Sequence, residues 1–445
     1  MPSENYAGKI AIIGAGPVGI SAARALKAVG IAYDQFEAES DLGGNWRHGV
    51  YKNAHIISSR KTTEFPDFPM PAHYPDFPSA AQMLAYLESY AEHYQLREHI
   101  SFNYLVERVS AEADLWLLQF NGGESRLYSG VVVCNGHHWS RRWPHYEGKF
   151  SGEMIHSKDY KDAEQLKNKR VLVIGGGNSA CDIAAEAARV AKSAHLCLRR
   201  GYWFLPKTVF GKPTAEMLTT ALPVWLQRIY IATLLKIIVG DYRQYGLARP
   251  DHKIFEKHPT INSELLHYLK HGRITPHPDI KQFDGNSVEF ADGRKEDFDL
   301  IVCGTGFNVS MPFLDPDLVT IEGSVVKAQW GLVAPHHKQL YLYGWGQARY
   351  GFGPLLTPAS DLLAKLILLQ KRLRHPLGEI LEKINQPLPA SHLIDPMRAL
   401  RQIKAANAML WLLPLVDKYL MSSKVKVEEV VNKLQMESEP APGND

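Results

Sequence analysis

At 445 residues the chain is about three times the ~150 residues of an ordinary domain, so two domains or one large composite are expected and a small stapled scaffold is excluded. Hydrophobic residues at 45% and charged residues at 22% are those of a globular chain, which excludes wholesale disorder. A formal charge of +3 is too small to indicate nucleic acid or an anionic membrane as the principal partner.

The first apolar strand is expected over Lys9 to Ile13, after a short polar start with no secretory signal. It runs into Gly14-Ala15-Gly16-Pro17-Val18-Gly19, then an Ala-rich helix over Ser21 to Val29 closed by Gly30. A second strand, Ala32 to Phe36, delivers Glu37, 23 residues after the first glycine. This is the dinucleotide fingerprint. Gly14 permits the tight turn, Gly16 lets a pyrophosphate approach the backbone, Pro17 opens the helix, Gly19 allows close helix packing, and the helix N-terminus faces the phosphates.

The pattern recurs. Val171 to Ile174 reads as a strand, followed by Gly175-Gly176-Gly177-Asn178-Ser179-Ala180, a helix to about Ala191 and a strand over His195 to Leu198. The position 24 residues after the first glycine is Arg199, followed by Arg200, with Lys207 close behind. A carboxylate such as Glu37 accepts hydrogen bonds from a free ribose diol and repels a 2′-phosphate, whereas paired guanidiniums bind that phosphate through charge-assisted forks. The first loop therefore selects FAD or NAD and the second NADPH, and one chain holding both implies hydride transfer between them. FAD in the first unit and NADPH in the second is the economical assignment. Solvation at a strand end is the ordinary alternative for two adjacent arginines.

Val131 to Gly136 and Leu300 to Phe307 are further apolar strands ending in glycine-containing turns, expected to return against a bound flavin. Ala221 to Gly240 is apolar but interrupted by Pro223, Gln227, Arg228 and Lys236, so it does not span a membrane. A buried or lid helix, a contact in a homodimer and a helix lying in a membrane surface are the three readings open to it. His267 and His271 share a helical face without a third ligand and are read as solvated, and no metal site is expected. Cys134, Cys181, Cys197 and Cys303 form no CxxC pair, which fits buried thiols in a reducing, cytoplasmic setting and argues against a disulfide reductase or a structural zinc site. Trp345, Tyr350 and Phe352, set among glycines, either line a substrate entrance or pack in the core. Helices are expected over Leu362 to Arg372 and Met397 to Leu420, and a frayed tail after Met436.

A longer signature, FxGxxxHxxxY, lies just before the second glycine loop as Phe150, Gly152, His156 and Tyr160, followed by Lys161. With Gly43-Gly44-Asn45-Trp46, Gly246-Leu247 and Pro250, the Asp292-Gly293 turn and Cys303-Gly304-Thr305-Gly306-Phe307 in place of ATGY, the chain resembles the flavin-containing monooxygenases among the class B flavoprotein monooxygenases. The resemblance runs from about Ile10 to Ala364, and Tyr160-Lys161, where Baeyer-Villiger monooxygenases usually carry tryptophan, favours the flavin-containing branch, with Baeyer-Villiger-type ketone oxygenation as the alternative. It implies an α/β fold of two Rossmann-like dinucleotide-binding domains, with an NADPH domain (153–314) inserted in a discontinuous FAD domain (1–152 and 315–445). It implies that Gly14, Gly16, Gly19, Glu37, Gly44 and Trp46 contact FAD, and that Ser179, Arg199 and Arg200 contact NADPH.

The implied activity is NADPH-dependent formation of a flavin hydroperoxide that passes one atom of molecular oxygen to a small lipophilic sulfide or amine, or in some members a ketone. A plain NADPH oxidase making hydrogen peroxide and a flavin-carrying binding module are the competing classes. Three residues are placed at the reaction centre: His156, which is either a catalyst or a hydrogen-bonded linker between domains, and Ile57 and Ser58. Family members commonly carry an asparagine in a pattern like YKxxxxNxxK, and the register from Tyr51-Lys52 to Arg60 puts Ile57 there. Isoleucine excludes water but donates no hydrogen bond, so a leaky oxygenase is expected, with Asn53, Ser58 and Ser59 as alternative donors.

Overall fold

Apolar runs bounded by glycine become parallel strands in two separate sheets of the computed structural model, which describes residues 4–218 and 222–421. The tail after Met436 and the first residue of the 221–240 segment lie outside the described residues. In the first sheet β1 (Glu4–Ile13), β2 (Tyr33–Glu37) and β3 (Ile100–Phe102) run parallel in the order β3-β2-β1. The antiparallel hairpin β4 (Val106–Glu112) and β5 (Leu115–Phe120) leads into β6 (Ser125–Val133), which lies parallel to β1 on its other side. A late strand, Leu340–Leu342, pairs parallel with the end of β6.

The second sheet is entirely parallel. Its strands are β7 (Glu153–His156), β8 (Arg170–Ile174), β9 (Ser193–Cys197), β10 (Thr275–His277) and β11 (Leu300–Cys303), in the order β10-β9-β8-β11-β7. Residues Val171 to Ile174 and Leu300 to Cys303 are all buried, as strands covered on both faces require. One face carries the helix Asn178–Val190; the other is covered by a small sheet of Glu147–Phe150, Ile280–Gly285, Ser287–Phe290 and Lys295–Asp297. Residues 147–150 pair with 282–285, so sheet membership changes before residue 152. Where the chain passes between the units, Phe307–Asn308 pairs antiparallel with Ser140–Arg141.

Each glycine loop feeds a helix. Helix α1 (Pro17–Ala28) starts with proline in its first turn, where no backbone donor is lost, and ends before Gly30, whose φ of 72° and N–H to the Lys27 carbonyl (3.1 Å) close it. Helix α2 (Asn178–Val190) buries an alanine-rich face against β8 and β9. Helix α3 (Val224–Ile238) buries Gln227, Ile231 and Leu235 and exposes Trp225, Ile229 and Ile237. Among the described residues no helix is long and apolar enough to cross a membrane.

The C-terminal part packs back on the first sheet. Helix α4 (Gly353–Gln370) lies on α1, joined by Ser21 Oγ to Ser360 Oγ (2.8 Å) and Arg24 Nη1 to Asp361 Oδ1 (2.7 Å). Leu362, Leu363, Leu366 and Ile367 enter the core formed by Ile10, Ile12, Ile20 and Leu26, and helix α5 (Pro396–Met409) covers α4. Truncating the fully buried Leu363 to alanine is expected to cost about 2–5 kcal/mol in urea unfolding, while Leu368→Ala on the 39% exposed side of the same helix stays within about 0.5 kcal/mol.

Candidate functional site

The first glycine loop is shaped by close backbone approach. Gly14 has φ +102°, and a Cβ there would meet the Cys134 carbonyl oxygen at 2.6 Å; one on Gly19 would lie 2.0 Å from the Gly14 oxygen. Only glycine lets α1 and the end of β6 close on this turn. In the second loop a Cβ on Gly175 would lie 2.3 Å from the Gly304 carbonyl, and Ala180, at the third fingerprint position, packs against Gly304. A Cβ on Gly177 would meet nothing within 4 Å, leaving space over the backbone. The two return segments therefore divide between the loops. Val131 to Gly136 reaches the first, as expected, whereas Gly304 packs on the second, because β11 pairs with β8 rather than with β1.

Helices α1 and α2 begin at Gly16 and Gly177 with no side-chain cap and no acidic residue in the first turn. Helix α5 is capped by Asp395, and α3 and α4, which also lack a side-chain cap, start after Pro223 and Phe352 and not on either fingerprint loop. An uncapped helix N-terminus leaves several N–H groups for an anion, with the helix dipole adding to the attraction. Both loops border one cavity of about 1690 Å³, well above the ~300–1,000 Å³ of an ordinary single-ligand pocket. Gly14, Gly16, Pro17, Glu37, Gly44 and Trp46 line one part, and Gly177, Asn178 and Ser179 another. Gly19 and Gly175 act from behind, through backbone packing.

Glu37 is buried at the end of β2. Its carboxylate accepts from Ala15 N (2.7 Å) and Glu39 N (3.1 Å), while burial raises its pKa against those bonds. It thus fastens the glycine loop and still faces the cavity. Asn135 Oδ1 and Trp345 Nε1, both in the cavity wall, are buried without a hydrogen-bond partner, as expected of groups that meet a bound molecule. The glycine cradles, free helix ends and orphaned polar atoms together fit two dinucleotides.

The remaining expected residues separate into wall and support. Ile57 and Ser58 line the cavity, with Ser58 Oγ 2.6 Å from Thr63 Oγ1. His156 does not. Its ring is buried, with Nε2–H donating to the Gly306 carbonyl (3.0 Å) and Nδ1 accepting from Lys158 N (3.2 Å), so both nitrogens are committed to backbone. Arg199 is exposed and Arg200 lies over the Tyr202 ring at 5.1 Å with its Nε unpartnered; neither borders the cavity, and both sit just past the end of β9. Trp345, Tyr350 and Phe352 do line it.

The rest of the signature is structural. Phe150 packs in the core beneath the small sheet, and a side chain at Gly152 would strike the Phe150 ring at 2.7 Å. Tyr160 Oη donates to Glu186 on α2, whose other oxygen accepts from Asn53 Nδ2 (2.6 Å), and Tyr51 Oη donates to Asp182 Oδ2 (2.7 Å). These contacts hold the 51–53 loop of the first unit against α2 of the second.

Sequence reading missed His137, His138, Trp139 and Lys158, all in the cavity wall. Lys158 stands two residues after His156, and its Nζ lies 3.7 Å from the Trp139 ring centroid. Burial, reinforced by the charges of Arg141 and Lys161, pulls its pKa down to about 8.

A family model described as flavin-binding monooxygenase-like matches residues 7–341. This chain belongs to the flavin-binding monooxygenase-like family. Flavin-containing monooxygenase 5 of Oryctolagus cuniculus is 33% identical over 347 residues, covering 71% of this chain and 65% of its own. Indole-3-pyruvate monooxygenase YUCCA1 of Oryza sativa subsp. japonica is 31% identical over 322 residues, covering 69% of this chain and 79% of its own. A solved flavin-containing monooxygenase from Stenotrophomonas maltophilia superposes with a TM-score of 0.65 at 25% identity, covering 82% of this chain and 98% of that one. This flavin-binding monooxygenase-like chain thus spans 65% of the length of the rabbit relative.

The lysine in this family member's cavity yields a pH prediction. The Lys158 ammonium is present below its pKa and lost above it, so NADP⁺ binding, followed by calorimetry, is expected to weaken as pH rises through about 8. In Lys158→Met the same curve is expected to be flat across that window, with binding weaker below it by about 1.5–3 kcal/mol.

Proposed function

We propose that the chain is an FAD- and NADPH-dependent monooxygenase that oxygenates a small lipophilic sulfide or amine. The observation that carries this reading is the one cavity that both glycine loops border, each loop opening a helix with an uncapped N-terminus and the first lying beside a buried acid. It rests further on membership of the family. The domain division that accompanies it places FAD on 1–152 and 315–445 and NADPH on 153–314, supported by the return of Leu340–Leu342 and α4 to the first sheet. A cytoplasmic setting accords with four buried, unpaired cysteines.

Bound FAD, reduced by NADPH, supplies the activation of molecular oxygen and the transfer of one atom to substrate, the other leaving as water. The protein's part is to bind, orient and keep dry. Gly14, Gly16, Pro17 and Gly44 give a pyrophosphate access to backbone N–H groups, and Glu37 presents a carboxylate to a ribose diol. Gly177, Asn178 and Ser179 do the same in the second loop, and Arg199 and Arg200, outside the cavity wall just past the end of β9, are the guanidiniums proposed to meet a 2′-phosphate. Lys158 adds a cation at neutral pH, and His156 positions Lys158 and Gly306 through its two ring nitrogens. Phe352, Leu355, Ile403 and Met409 make part of the wall apolar.

Ile57 supports a second component of the reading, diversion of NADPH to hydrogen peroxide. Asn53 is committed to Glu186, and Ser59 is buried as the cap of the helix Arg60–Thr63, which leaves Ser58 as the hydroxyl in the wall beside Ile57. The amide nearest in sequence, Asn53, is therefore not free to take the place of the missing one.

Two measurements test the assignment. NADPH is expected to exceed NADH in kcat/KM, and Arg199→Ala to lose about 1.5–3 kcal/mol of that preference; equal efficiencies in the unaltered protein would refute the site. Peroxide released per NADPH consumed, with a thioanisole as acceptor, is expected to be substantial in the unaltered protein and lower by up to about tenfold in Ile57→Asn. A tightly coupled parent with no change in the variant would make Ile57 ordinary wall packing.

A further inference from the structure

At the outer edge of the second sheet, outside the cavity wall, three metal-ligating side chains from three strands converge. His195 lies on β9, His277 on β10 and Glu296 on the strand Lys295–Asp297 of the covering sheet. His195 Nδ1 is 2.9 Å from His277 Nε2 and 3.2 Å from Glu296 Oε2, and His277 Nε2 is 3.8 Å from Glu296 Oε1. We propose that His195, His277 and Glu296 form a binding site for one divalent transition-metal ion of the zinc class.

The separations are the first argument. Metal–nitrogen and metal–oxygen bonds of about 2.0–2.2 Å in a tetrahedron put neighbouring ligand atoms about 3.3–3.6 Å apart, within the observed range of 2.9 to 3.8 Å. Two imidazoles and one carboxylate are also a recurrent zinc donor set, with a fourth position for water. Here the fourth position falls on the Glu296 side, where that side chain is 34% exposed while His277 is 0% and His195 11%.

The second argument is tautomeric. His195 Nε2 lies 3.1 Å from Ser193 Oγ; donating there leaves the Nδ1 lone pair facing the cluster, an outer contact of the kind that orients metal-bound histidines. The His277 ring is held flat on Phe290, at 4.0 Å and 15°, and His195 stands edge-on to Phe298 at 5.0 Å, so both rings are aimed by packing. Burial favours the neutral form of both, the form that ligates. Without a cation, a nitrogen lone pair and two carboxylate oxygens meet over a single N–H. An ion at the centre satisfies the converging lone pairs together. It would also tie the edge strand β10 and the covering sheet to β9, two residues before the strand delivers Cys197 and four before Arg199.

The flavin-loaded full chain, stripped with a chelator, is titrated with Zn²⁺ against a chromogenic zinc indicator and with Co²⁺ for its visible absorbance. One tight site is expected, with the intense d–d bands of tetrahedral Co²⁺ and a thermal midpoint that rises on adding Zn²⁺. Glu296→Gln, which keeps the shape of a partly exposed side chain, is expected to weaken binding by at least about 100-fold and abolish the bands, and Ser193→Ala by about 10–100-fold. His267 and His271, whose rings lie 4.1 Å apart on another surface, offer a two-imidazole competitor, so His267→Ala/His271→Ala is included and is expected to leave the tight site intact. Equal binding by the parent and Glu296→Gln, loss of binding in the His267→Ala/His271→Ala variant, or weak octahedral Co²⁺ spectra throughout would overturn the proposal and leave His195 and His277 as a hydrogen-bonded pair.

Discussion

Two helices that begin on glycine loops, with no side chain to cap them, face one cavity, around which the rest of the structure is arranged. The first N–H groups of α1 and α2 have no intrahelical acceptors, and neither helix carries an acidic residue in its first turn. Asp395 caps the corresponding groups of α5, whereas α3 and α4 begin uncapped after a proline and a phenylalanine, outside the two fingerprint loops whose glycine backbone a phosphate can approach closely. Leaving two ends free on one cavity sets the chemistry of that cavity toward phosphates. Much of the surrounding structure serves to hold those ends in place: β1 and β8 deliver the loops, Cys134 and Gly304 press on their backs, and Glu37 ties the first loop by its backbone.

The relation between the two units follows from a second set of contacts. Tyr51 and Asn53 of the first unit reach Asp182 and Glu186 on α2, and Tyr160 joins the same carboxylate. The signature that looks like a catalytic motif in one dimension is thus largely a fastening. Phe150 and Gly152 seat the small sheet, His156 fixes the turn at Gly306, and Tyr160 anchors α2. The proposed chemistry asks little of side-chain acids and bases, because a bound cofactor would supply the reactivity, and the signature residues of this chain set geometry instead.

The cavity also shows how burial adjusts charge without a dedicated partner. Lys158 stands over Trp139 in a wall that includes His137 and His138, and the loss of solvent lowers the pKa of its ammonium group toward the neutral range. Glu37 moves the opposite way for the same reason, its burial opposing two backbone donors. An acid at one end of the cavity and a tunable cation further along give the site a polarity that neither glycine loop has alone.

Both fingerprints, the strands that feed them and the acid or arginines that end the second strand were legible from residue order, because each is a local pattern of hydrophobic period, glycine and one charged position. The family signature was legible for the same reason. Local order could not show that Gly304 returns to the second loop and not the first, since that depends on β11 pairing with β8. It left His156 between two roles, and the commitment of both ring nitrogens to backbone places it as support. Lys158 and the His195, His277 and Glu296 cluster gave no readable spacing, because their partners arrive from strands and turns far apart in the chain. Sequence alone determined which backbone turns can cradle a phosphate, a property of a few consecutive residues. Tertiary structure decided that both turns open on one cavity and which side chains share it, because those distances arise only when separate sheets are packed together.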